Sequence, residues 1–160
     1  MKTGLFALGI ALLAATPAAA QVMTPTDYVK TAGASDLYER ESAKLVLETS
    51  RDARVRDFAS MMIEMHTKST QDVKAAAMHS KLKVAAPMLM PAQREMLAQL
   101  RAENGPARDA AYVVQQRAAH GQALSVQQAY AAGGTAPALR RAAAGIVPVV
   151  QDHIMMLMKM

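Results

Sequence analysis

Cysteine and tryptophan are absent from the 160 residues, and phenylalanine occurs only twice. Without a thiol there is neither a disulfide framework nor a thiolate metal site, so cohesion rests on packing, and a chain of this length buries a core without covalent staples. The lipid-bearing cysteine of bacterial lipoproteins is missing for the same reason. Aromatics make up 4% of the chain, and the net charge of +5 is spread over mixed runs such as Arg51-Asp52-Ala53-Arg54-Val55-Arg56-Asp57. Such runs are solvated helix faces, and with no basic strip interleaved with aromatics no nucleic-acid partner is expected. Beyond residue 20 no apolar run approaches the roughly 20 residues of a bilayer span; Ala142 to Val150 is short and contains Pro148. No Gly-x-Ser-x-Gly elbow is present, and Gly133-Gly134 ends a helical pattern instead of joining a strand to a helix. Hydrolase and nucleotide-binding readings therefore lack support.

What is present begins with an export signal. Lys2 supplies a positive start, Leu5 to Ala15 an apolar stretch, and Ala18-Ala19-Ala20 the small residues that signal peptidase cleaves after. The apolar stretch is too short to anchor the chain across a bilayer. The expected product is a single periplasmic domain over residues 21–160, with association to the outer membrane left open.

That domain reads as all-α. Ala, Leu, Met, Gln, Lys, Arg and Glu dominate, and β-branched residues never alternate over the length of a strand. Thr24-Pro25-Thr26-Asp27 places a cap, a first-turn proline and an acid at the start of a first helix running to about Thr49. After a break at Ser50 to Asp52, a second helix carries an apolar stripe at Val55, Phe58, Ala59, Met62, Ser69, Val73 and Ala76 and fades near Ser80. Pro87 and Pro91 bracket a loop, Ala92 to Glu103 forms a short connecting helix, and Asn104-Gly105-Pro106 closes it. A third long helix is expected from about Ala107 to Ala132. A fourth, capped by Thr135 with Pro137, runs to the end of the chain with a stripe at Leu139, Ala142, Ile146, Val150, Leu157 and Met160 and a kink at Pro148.

His66, His120 and His153 fall within these stripes and should point inward: His66 four after Met62, His120 seven after Val113, His153 seven after Ile146. Glu39 lies in the least apolar stripe, with Ala32, Ser35, Ser42 and Val46. Counting from the turns at about 1.5 Å per residue, Glu39 and His66 are level within roughly 5 Å, and His120 and His153 differ by roughly 7 Å. One central layer is possible. A carboxylate and three imidazoles suit a single Zn(II), Cu(II) or Fe(II) ion, with Gln116, Tyr112 and Glu64 as candidate supporting partners. The competing reading makes each histidine a hydrogen-bonded polar group of the core. His79, thirteen residues after His66, is off that face and is given no role.

These residues carry a resemblance. Glu39, Phe58-Ala59 followed by His66-Thr67-Lys68, then Asp109, Tyr112-Val113, Gln116 and His120, and Pro148 five before His153 resemble the bacterial family called domain of unknown function 4142, of the ferritin-like superfamily. The match covers Pro25 to Met156. It implies a ferritin-like antiparallel four-helix bundle with a short extra helix between the second and third long helices, and no assigned activity. The chain departs from the family where an Asp usually precedes the second-helix histidine, since Met65 stands there with Glu64 one further back. Ferritin-like di-iron sites use Glu-x-x-His pairs, whereas Ile63 and Val150 stand three before His66 and His153. Ferroxidase or iron-storage chemistry is not inherited from the fold.

The 13 methionines include Met155, Met156, Met158 and Met160 near the end of the last helix. Thioethers favour Cu(I), which gives copper a role to consider, although methionine is more commonly a flexible core filler. Two functional expectations result: a non-enzymatic envelope protein that binds a partner or contributes to stress tolerance, and a metal-binding or redox protein using His66, His120, His153 and Glu39.

Overall fold

The computed structural model describes residues 23–160. The export signal and its cleavage after Ala20 lie outside the described residues. Five helices follow one another: α1 (Pro25–Thr49), α2 (Ala53–His79), α3 (Pro91–Ala102), α4 (Gly105–Gly133) and α5 (Pro137–Leu157). Their starts follow the local chemistry. Thr24 Oγ1 accepts from the Asp27 N–H at 3.1 Å, and Asp52 Oδ1 accepts from the Arg54 N–H at 2.8 Å, so both chain entries satisfy otherwise orphaned donors. At α5 the cap position falls on Ala136 and not on Thr135, and no side chain caps it; Pro137 alone marks the start. Glycine matters at Gly105, where φ is +51° and a side chain would be strained.

Cross-helix hydrogen bonds set the topology. Tyr28 near the start of α1 donates to Gln127 near the end of α4, at 2.6 Å, while Ser50 after α1 donates to Asp109 near the start of α4, at 2.9 Å. Helices α1 and α4 are therefore antiparallel, and the short links after Thr49 and Gly133 make α1–α2 and α4–α5 antiparallel hairpins. Each long helix packs on two others, α1 on α2 and α4, and α5 on α2 and α4. The end of α2 and the start of α4 then lie at opposite ends of the bundle. One long crossover must join them, and residues 80–90 with α3 provide it, the arrangement of a ferritin-like bundle. Helix α3 is held against α1 and α4 by buried Leu97 and Leu100, and by Gln115, which donates to Gln99 at 2.9 Å.

Apolar burial forms two separate clusters. One, toward the α1–α2 turn, gathers Tyr38, Val46, Phe58, Met62, Tyr112 and Leu157. The other, toward the opposite end, gathers Tyr28, Ala32, Val73, Tyr130, Leu139 and Ala143, with Tyr28 and Tyr130 stacked at 3.9 Å between ring centroids. On α5 the buried small residue is Ala143, and Ala142 is half-buried. Between the clusters lies a layer of buried polar side chains, and the histidines occupy it.

Candidate metal centre

His66 on α2, His120 on α4 and His153 on α5 are all buried. Each offers a ring nitrogen to one space, with the nitrogens all within 4.8 Å of one another. Their ring centroids are 5.3 to 5.8 Å apart. The height difference expected for His120 and His153 shrinks because Gly134 to Ala136 are not helical and add little rise between α4 and α5. Phe58 closes the layer on one side, with its ring 6.1 Å from His120 and 6.3 Å from His153.

Hydrogen bonds orient two of the rings. His66 Nδ1 stands 2.8 Å from Asp36 Oδ1, and Nε2 is buried with no partner. A carboxylate at Nδ1 favours the tautomer with its proton there, which leaves the Nε2 lone pair facing the other rings. His120 Nδ1 stands 3.0 Å from the Gln116 carbonyl, one helical turn back, which selects the same tautomer. Its Nε2 lies 3.3 Å from His153 Nδ1. That spacing suits a hydrogen bond, and it equals the separation of about 3.3 Å between two ligands of a tetrahedral ion with bonds of about 2.0 Å.

Around the rings the electrostatics favour neutral imidazole at two positions. Burial, with the charge of His66 close by, pulls His120 down to about 3 and His153 down to about 4. His66 differs: burial lowers its pKa, but the hydrogen bond it donates to Asp36 and the charges of Glu39 and Asp36 outweigh this and leave it raised. Glu39 is fully buried, and burial pushes its carboxyl up to about 7 against the opposing pull of His66. Its Oε1 is 3.8 Å from His120 Nδ1, the ring atom opposite the one that faces His153. Glu39 thus borders the layer without joining the atoms that converge.

The supporting residues expected from the sequence divide. Gln116 orients His120 through its carbonyl and donates from Nε2 to Ser42 at 3.2 Å, leaving Oε1 without a partner. Tyr112 is buried beside Phe58 with its hydroxyl unpaired, and burial together with the Glu39 charge raises its pKa well above the ordinary value. Glu64 is exposed and cannot serve His66. Asp36 takes that place from α1. Thr70 in turn places its hydroxyl 3.0 Å from Asp36 Oδ2 and accepts from Arg40 at 2.7 Å. Sequence reading passed over Asp36, although its position three before Glu39 puts both on one helix face. His79 is exposed, as are Met155, Met156 and Met158, whereas Met160 is partly buried against the core cluster of Phe58 and Leu157.

A family model described as a domain of unknown function, DUF4142, matches residues 11–160. The chain belongs to the DUF4142 family. No curated protein matches it. Among solved structures, this DUF4142 chain is similar to a DUF305 protein from Streptomyces coelicolor, described as a presumed secreted protein, with 15% identity and a TM-score of 0.70 over 83% of this chain and 87% of that one. At that identity the likeness shows a shared all-α fold. No helix among the described residues of the DUF4142 protein is long and apolar enough to cross a membrane.

Proposed function

We propose that this protein is an exported metal-binding bundle that holds one divalent first-row transition ion on His66, His120 and His153. The observation that carries the reading is the convergence of ring nitrogens from three helices within 4.8 Å, with His66 Nε2 buried and unpaired. A polar core built only for packing pairs its buried groups, because each one left unpaired costs about 1–3 kcal/mol. Charge supports the same conclusion, since a dication on neutral imidazoles is balanced by Asp36 and by a Glu39 carboxylate that the ion itself would help to ionise. Zn(II) and Cu(II) fit this nitrogen set. Cu(I) would draw on thioethers, and Met155, Met156 and Met158 near the α5 end face solvent. The supporting groups would act by fixing rings: Asp36 holds His66, and the Gln116 carbonyl holds His120.

Metal analysis of the protein isolated from the exported fraction tests this. About one ion per chain is expected, and His153→Ala should lose it. If metal-free protein gains no thermal stability with added Zn, Cu or Fe salts, the reading fails. The 3.3 Å contact between His120 and His153 then stands as a plain core hydrogen bond in a non-enzymatic envelope protein.

A further inference from the structure

The histidine layer is not sealed. A groove of about 480 Å³ opens between α2 and α5, and His66 and His153 form part of its lining while His120 does not. Its α5 wall is apolar, made by Ala142, Ile146, Val149 and Val150, with Gly145 leaving a gap in it. A side-chain carbon built on Gly145 would meet nothing within 4 Å. The groove extends along α5 from His153 to Arg141, about 18 Å at the rise of a helix. One cationic side chain, Arg141, stands at the far end, and Lys68 lies two residues from His66. Lys68 is engaged by Asp72 one turn on, whereas no ion pair among the described residues engages Arg141.

An ion held by three imidazoles keeps a fourth position for an exchangeable ligand. We infer that, on the metal-binding reading above, the α2–α5 groove admits an aliphatic monocarboxylate, its head on the ion beside His66 and His153 and its chain along Val149, Ile146 and Ala142. The sign of the head follows from the dication and from the unpaired guanidinium of Arg141 at the entrance, both of which draw an anion. The class of the tail follows from the α5 wall, where Ala142, Ile146, Val149 and Val150 offer aliphatic carbon, with Met65 and the polar Ser69 and Asp72 facing it from α2. A purely structural ion would be enclosed on all sides; here two ligands border an open channel.

The test uses the protein loaded with Co(II), whose visible spectrum reports a change of ligand. Cobalt stoichiometry is measured first, and the spectrum is then titrated with acetate, octanoate and 1-octanol. Octanoate and acetate should both perturb the spectrum, with octanoate about tenfold tighter for the few methylenes it buries, and 1-octanol should have no effect. Gly145→Leu should retain full cobalt loading and the acetate response while losing the preference for octanoate, and Ala142→Leu should act in the same direction. If cobalt binds but octanoate and acetate are equal, or neither alters the spectrum, the groove inference fails and the metal site stands. If no cobalt binds, both fail.

Discussion

Asp36 is the residue on which the orientation of His66 depends. A carboxylate at the far nitrogen of a metal-bound imidazole raises its basicity and fixes its ring, and losing such a partner typically costs about 10–100-fold in affinity. Asp36→Asn keeps the size of the side chain but removes the charge, so zinc affinity measured against a competing chelator should fall within that range. Protonation gives a second expectation at this scale. His120 and His153 bind protons less readily folded than unfolded, so as pH falls below the ordinary imidazole value of 6.5 toward about 4 and 3 they remove stability. Glu39 acts oppositely: raised from 4.5 to about 7, it removes stability as pH climbs through that interval, and the raised His66 adds to the loss just above 6.5. Two histidines outweigh one glutamate below 6.5, so calorimetry of the metal-free protein should find its melting temperature highest near neutrality and lower on both sides. The histidines were legible in the sequence because each continues an apolar stripe. Asp36 was not, because α1 buries Asp36, Glu39 and Ser42 in place of apolar side chains and so lacks the contrast that marks a face.

Among the elements, starts and turns were legible wherever a single residue decides them. Thr24 caps as its type demands and Pro137 sits in a first turn, where a missing N–H costs nothing, while Asp52, read only as part of a break, caps α2 and Pro91, read as the edge of a loop, opens α3. The choice between Thr135 and Ala136 at the head of α5 was not legible, because neighbouring positions compete and Pro137 permits either. Nor was the face of α5, a continuous helix through Pro148 whose buried stripe runs Leu139, Ala143, Val150, His153 and Leu157 and leaves Ala142 at its edge. The turn into α5 yields a sharp expectation. A Cβ at Gly134 would stand 2.5 Å from the Tyr130 ring, which is stacked on Tyr28, and 2.7 Å from the Tyr130 backbone carbonyl oxygen. The backbone there has a negative φ that any residue accepts, so the penalty of Gly134→Ala is steric. Overpacking of this kind costs about 1–3 kcal/mol, readable as a lowered denaturation midpoint in urea; an unchanged midpoint would show that the tyrosine pair yields freely.

Across the whole molecule, the four-helix plan with its extra helix was legible from periodicity and punctuation. The reason for the long crossover was not, because it depends on which bundle ends the hairpins present to one another. The histidines proposed as ligands lie on both sides of that crossover: His66 belongs to the α1–α2 hairpin, and His120 and His153 to the α4–α5 hairpin. Binding energy is therefore available only to the docked molecule, and added Zn(II) should raise the melting temperature of the whole bundle in one cooperative step, an increase that a chelator reverses. Residues 81–90 join the hairpins without regular structure and carry exposed Lys81 and Lys83, which a trypsin-like protease accepts. A cut there leaves two pieces that share three ring nitrogens but no peptide bond. The ion then becomes a rivet: the nicked protein should elute as one particle while metal is present, and part into its halves when the metal is stripped away.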